Sequence, residues 1–191
     1  MTMRRYEEAI AQKNLAIKLE PLVQYFQTSA GMPLLTMRRY DEAIDQYRKA
    51  LNLEPNFHAA RFQLGEAYLY KNMYEDAIQE IKEAVRFSGQ SPHYLGTLSY
   101  AYSLAGKKSE AREILQQLKK LGESRFVSSL GFIYAYLGLG DREKAIEYLQ
   151  RSVESRDVTF LPGEINLEAF DDIRSDPRFK EIVRKMNIPE N

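Results

Sequence analysis

His58 and His93 are the only histidines of the chain, and it has no cysteine. Two imidazoles can hold a metal or pass a proton. These two open successive helical stretches, however, and no thiolate stands ready to complete a site. The run LGLGD offers Gly138 and Gly140 as a phosphate cradle, yet it follows a helical pattern rather than a strand and no lysine comes after it. It reads as a turn. Asp171, Asp172 and Asp176 gather negative charge as a cation site would, but their spacing is not that of a calcium loop. Asp176 stands where a helix cap is needed, just before Pro177. Lys107, Lys108, Arg112, Lys119, Lys120 and Arg125 make one stretch basic, with Glu110, Glu113 and Glu123 interleaved, as on a solvated face. No constellation points to catalysis, so a non-enzymatic chain with no cofactor and no metal is expected.

Composition narrows the partners. The 27 basic and 27 acidic residues cancel, leaving no global field to hold nucleic acid or an anionic membrane. The charge-free run over residues 87–106 reaches spanning length but carries Ser, Gln, Pro, His and Gly throughout, which lipid would not accept cheaply. No nucleic acid and no membrane are expected. The lack of cysteine and of any visible signal-peptide pattern suits a reducing compartment, read as the cytoplasm.

The elements that would position any site are set by a period. MRRYEEAI begins at Met3 and MRRYDEAI at Met37, and Ala9, Ala43, Ala77, Ala111 and Ala145 recur at the same offset of 34 residues. A fixed period with no insertion is the mark of a repeat array. The stretch HAARFQLGEAYLYKNMYEDAIQEIKEAVRFSGQS divides into two amphipathic helices. Leu64, Gly65 and Tyr68 mark the first, and Ala77 and Ile81 the second, which ends near Gly89. Gly65 and Ala77 are small where two helices cross, and Tyr68, Tyr102 and Tyr136 fill one equivalent wedge between hairpins. Ser99 and Ile133 replace the glycine in later copies. Pro21 and Pro55 stop second helices, and Pro33 is expected to kink or break a first helix near Met32.

These residues resemble the tetratricopeptide repeat over about residues 3–156. The resemblance implies an all-α, right-handed α-α superhelix. The expected organisation is an N-terminal half-repeat over residues 1–23, four repeats at 24–57, 58–91, 92–125 and 126–157, and a degenerate capping hairpin over 158–191. In that hairpin a short helix should end near Arg174, and a second should carry Phe179, Ile182, Val183 and Met186 on one face. The tail, with RSDPRFKEIVRKM, also resembles the ends of repeat regions in bacterial multidomain signalling proteins, which implies a regulatory setting.

In the family that the chain resembles, positions two, five, nine and twelve of each repeat line a concave groove. Here the resemblance assigns Tyr25, Thr28, Met32 and Leu35, then Ala59, Phe62, Glu66 and Leu69, then His93, Gly96, Tyr100 and Ser103, then Val127, Leu130, Tyr134 and Leu137. Tyr25, Met32, Phe62, Glu66, Leu69, His93, Tyr100, Leu130, Tyr134 and Leu137 are the candidate contacts for an apolar or amphipathic peptide segment, or for an upstream domain. Because residues 126–140 are uncharged all round, that helix is expected to be covered by its neighbours and by an occupant of the groove. The alternative is a purely structural or self-associating array whose groove is filled by its own VTFLPGEINLEAF segment. The first copy of the octapeptide has no helix before it, so the chain is expected to be a fragment of a longer protein, with a half-repeat that docks an upstream domain or forms a homodimer.

Overall fold

The structure is a computed structural model that describes residues 3–20, 23–155, 157 and 168–186. Pro21, residues 158–167 of the proposed groove-filling segment, and the last five residues lie outside them. Among the described residues there are α-helices and one 3-10 turn but no strand. The chain forms two compact units, Met1–Gln90 and Ser91–Asn191.

In the first unit, α1 (Met3–Leu19) packs on α2 (Gln24–Thr36), which pairs with α3 (Tyr40–Leu53); α4 (His58–Tyr70) packs on α3 and pairs with α5 (Tyr74–Phe87). In the second, α6 (Pro92–Leu104) pairs with α7 (Lys108–Ser124) and packs closely on α8 (Ser129–Leu139), which pairs with α9 (Arg142–Glu154). A 3-10 turn (Glu168–Phe170), α10 (Asp171–Arg174) and α11 (Pro177–Lys185) close this unit.

The helices reverse by one device used four times. Arg38, Asn72, Gly106 and Gly140, each 34 residues apart, have positive φ. The next residue then donates its N–H back over the helix end: Arg39 to Leu34 at 2.9 Å, Met73 to Tyr68 at 2.9 Å, Lys107 to Tyr102 at 2.8 Å and Asp141 to Tyr136 at 3.0 Å. This left-handed cap satisfies carbonyls that the helix end would otherwise orphan. Gly140 is therefore the turn residue of LGLGD. Gly138 is not part of the turn: it lies inside α8, where a Cβ would meet the Tyr100 Cα at 2.8 Å.

The alanine ladder is the crossing of the two helices. Ala43, Ala77, Ala111 and Ala145 are 0% exposed. Opposite them, a Cβ on Gly65 would meet Ile81 and come within 3.2 Å of the Ala77 carbonyl oxygen, and a Cβ on Gly31 would strike the Tyr47 ring. Where Ser99 replaces glycine, its hydroxyl donates to the Ala111 carbonyl at 2.9 Å, so the polar atom is satisfied in the core. Ile133, in the next copy, is wholly buried.

Pro33 does not break its helix. α2 runs unbroken from Gln24 to Thr36 because Pro33 falls in its last turn, where the missing N–H forfeits one bond and the end is closed by Met37 N–H to the Pro33 carbonyl at 3.0 Å.

Two departures set the second unit apart. α7 has 17 residues where α3 and α5 have 14, and α8 begins only at Ser129, with 11 residues where α2, α4 and α6 have 13. The closing hairpin keeps the period but changes its residues. Phe170 stands 34 after Tyr136, and Phe179 stands 34 after Ala145. The two rings meet, Phe170 tilting against Phe179 at 6.2 Å, and α10, directly after the 3-10 turn, is four residues long. Asp176 caps α11 through the Arg178 N–H at 2.8 Å, with Pro177 at the first position.

Candidate functional site

In the first unit the candidate contacts lie on α2 and α4, which touch. Tyr25 is 60% exposed, Met32 and Glu66 are half-buried, and Phe62 and Leu69 are buried. Thr28 is buried too, its hydroxyl donating to the Gln24 carbonyl at 2.9 Å. Beneath this face lies Tyr47, wholly buried against Gly31. Burial pushes its phenol well up, and the negative charge of Glu66 pushes in the same direction. This face is thus apolar with one carboxylate, beside a buried ring whose phenol is held in its neutral form.

In the second unit, His93 and Tyr100 on α6 are half-buried, whereas Leu130, Tyr134 and Leu137 on α8 are buried. Tyr134 is the centre of an aromatic cluster: His93 stacks on it at 5.8 Å, and Tyr100 and Phe170 meet it edge-on at 6.0 and 5.9 Å. Burial pushes His93 down to about 4, so the imidazole is neutral at physiological pH and serves packing. Residues 129–137 of α8 are all buried, and the cover the described residues supply is the chain's own: α6, α7, α9 and the 3-10 turn all pack on this helix. Leu130, Tyr134 and Leu137 are therefore core residues of this structure rather than an open lining. Sequence spacing could have found Phe170 as their cover, since it continues the series Tyr68, Tyr102, Tyr136.

The closing hairpin is held down by charge as well as by rings. The Arg178 guanidinium donates to both Glu143 oxygens at 2.8 Å and to Asp176 at 2.8 Å, and Arg142 pairs with Asp172 at 3.4 Å. Hydrogen bonds from Arg178 hold the Glu143 and Asp176 carboxyls below their usual range. Asp171 pairs with Arg174 at 2.8 Å. The acidic trio thus neutralises arginines and caps a helix. Among the described residues no cluster of His, Cys, Asp or Glu is placed to hold a metal ion, and no helix is long and apolar enough to cross a membrane.

Models of the tetratricopeptide repeat match residues 34–99 and 134–157. No curated protein matches the chain. Among solved structures it is similar to TTC0263, a thermophilic tetratricopeptide-repeat protein of Thermus thermophilus, with a TM-score of 0.64 and 17% identity over 96% of this chain and 90% of that one. It is also similar to YrrB, described as a tetratricopeptide-repeat protein with an unusual peptide-binding site, with a TM-score of 0.55 and 17% identity over 92% and 91% of the two chains. The likenesses in fold span nearly the whole length, and the matched stretches, which carry the Gly65, Ala77 and Ala145 crossings, belong to the tetratricopeptide-repeat family.

Proposed function

We propose that the chain is a non-catalytic protein-interaction scaffold, organised as a half-repeat over residues 1–23, four repeats at 24–57, 58–91, 92–125 and 126–157, and a capping hairpin over 158–191. Its partner is an apolar or amphipathic peptide segment, or an upstream domain, and the setting is regulatory. The observation that carries this reading is the pair of touching helices α2 and α4, on which Tyr25 is exposed, Met32 and Glu66 are half-buried and Phe62 and Leu69 are buried. An aromatic anchor beside an apolar floor with a single carboxylate suits an apolar segment carrying one positive charge. In the second unit His93 and Tyr100 remain partly open to a partner. That YrrB is described as having a peptide-binding site is in keeping with this reading. Pull-down from lysate with the wild type and with Tyr25→Ala/Glu66→Lys tests it. The bound protein should be lost from the double variant, and retention at the same level would remove the first unit's face from the account. Phe62→Ala and Tyr134→Ala are unsuited to the purpose, because both rings are core.

A second reading has its own observation. On α1, Leu15 is 57% and Leu19 72% exposed, while Ala9 is only half-buried where its four counterparts are sealed. This face suits self-association or an upstream domain. Sedimentation of the wild type beside Leu15→Glu/Leu19→Glu checks it: a mass that rises with concentration in the wild type alone supports a homodimer, and identical monomers exclude one.

A further inference from the structure

The longer α7 and the late start of α8 open a cleft of about 630 Å³ between the end of α7, the first turn of α8 and the last turns of α9. Its floor is aromatic: Phe132 stacks on Tyr148 at 4.6 Å, with the Arg151 guanidinium 5.1 Å from the Tyr148 ring centre. At its mouth Phe126, 78% exposed, is the most exposed large apolar side chain described in the protein. Lys119, Arg125 and Arg151 bring three positive charges to the lining, and Glu123, Glu154 and Asp157 three negative ones. One of the acids is engaged within the cleft. Asp157 accepts the Ser129 N–H at 2.7 Å, a carboxylate seated at the head of α8 where the helix dipole favours it.

We propose that this cleft binds an extended segment of a protein partner that presents an aromatic or large apolar side chain next to a carboxylate. The ring covers Phe126 and lies against the Phe132–Tyr148 floor, and the carboxylate pairs with Arg151 and Lys119; with Asp157 turned to the Ser129 N–H, three cations stand against two remaining acids. Aromatic rings and arginines around a desolvated floor are the composition of binding hot spots. A nucleic-acid strand fits less well. Glu123 and Glu154 on the same rim would repel successive phosphates, whereas a peptide can place one acid beside the cations and an uncharged residue beside the glutamates. The site lies wholly within the second unit and does not depend on the face of the first.

The test is amide chemical-shift mapping of the full chain with capped tripeptides at millimolar concentration: acetyl-Glu-Phe-Glu-amide, its neutral counterpart acetyl-Gln-Phe-Gln-amide, and AMP. The acidic tripeptide should move the amides of Gly122, Phe126, Ser129 and Ser155, binding about fivefold more tightly than the neutral one, the ratio that one exposed ion pair supplies. Phe126→Ala, at an exposed position that leaves the fold alone, should weaken both tripeptides, and Arg151→Glu should reverse the preference between them. The proposal is overturned by the absence of shifts at these amides, by equal affinity for the two tripeptides, by shifts unchanged in both variants, or by AMP binding the cleft more tightly than either peptide. Because only cleft amides are read, either result leaves the face of the first unit to its own experiment.

Discussion

Gly31 and Gly96 are buried glycines under different constraints. A methyl group on Gly31 meets the Tyr47 ring, whereas one on Gly96 meets the Gly131 backbone of the neighbouring helix. Gly31→Ala should therefore cost about 1–3 kcal/mol, the usual range for overpacking, and Gly96→Ala should cost more, because a backbone cannot turn aside as a ring can. Urea midpoints of the two variants compare them, and equal losses would mean that α6 can shift freely on α8. Ala77→Leu belongs to the same range, about 1–3 kcal/mol, and an unchanged midpoint would contradict the crossing at Ala77. His93 carries a pH prediction. Its folded value is pushed down to about 4, so below an ordinary value of about 6.5 the unfolded chain takes up a proton that the native one refuses. The stability it confers is fully present at neutral pH and is lost as pH falls from about 6.5 towards 4. The amount is on the order of 3 kcal/mol. The His93→Phe variant should lose this slope over that window.

The elements differ in how they end and how they are held. At the four left-handed turn positions, Gly140 and Gly106 meet no conformational cost, whereas Arg38 and Asn72 carry side chains there. Gly140→Ala should cost about 1 kcal/mol, while Arg38→Gly should be neutral or slightly stabilising, since a β-carbon in that conformation is disfavoured by a similar amount. Thermal midpoints read both. The closing hairpin rests on Phe170, Phe179 and Ile182 in the core and on the Arg178 fork at the surface. Glu143 and Asp176 have folded values below the ordinary carboxylate range. Their contribution is therefore present above that range and disappears as pH falls through the lowered values. Hydrogen exchange should show α11 losing protection in acid before α8 does, and Arg178→Ala should remove that difference.

For the molecule as a whole, the residues at positions five and nine decide what the scaffold does not bind. A clamp for acidic C-terminal peptides needs lysine and asparagine there to bond carboxylates. The chain instead has Thr28, Met32, Phe62, Glu66, Gly96 and Tyr100, of which Thr28, Phe62 and Gly96 are buried and Glu66 is itself an acid. Calorimetry with such peptides should therefore show no micromolar binding, any millimolar contact belonging to the α7–α8–α9 cleft, and micromolar affinity would overturn the account of these faces.

The period and the small crossing residues were legible because each is a local demand repeated without insertion. Alanine every 34 residues, with a glycine or serine facing it in three of the four full copies, follows from bringing two helices within contact. The left-handed residue after each first helix was legible at Gly140 but not at Arg38 and Asn72, which carry no glycine signal. The cap at Asp176 and the harmless charges of the acidic trio were likewise written in neighbouring residues. Burial was not, because it depends on what arrives from elsewhere in the chain. Tyr134 shares its sequence position with half-open Glu66 and Tyr100, yet it is closed by Phe170 from the last hairpin. Spacing placed Pro33 in a helix but not in a last turn where its cost is small. The uncharged run 126–140 showed that something must cover it. Only the tertiary structure decided that α6, α7, α9 and the 3-10 turn do so, while Phe126 stays out in solvent beside a cleft that the repeat pattern gave no reason to expect.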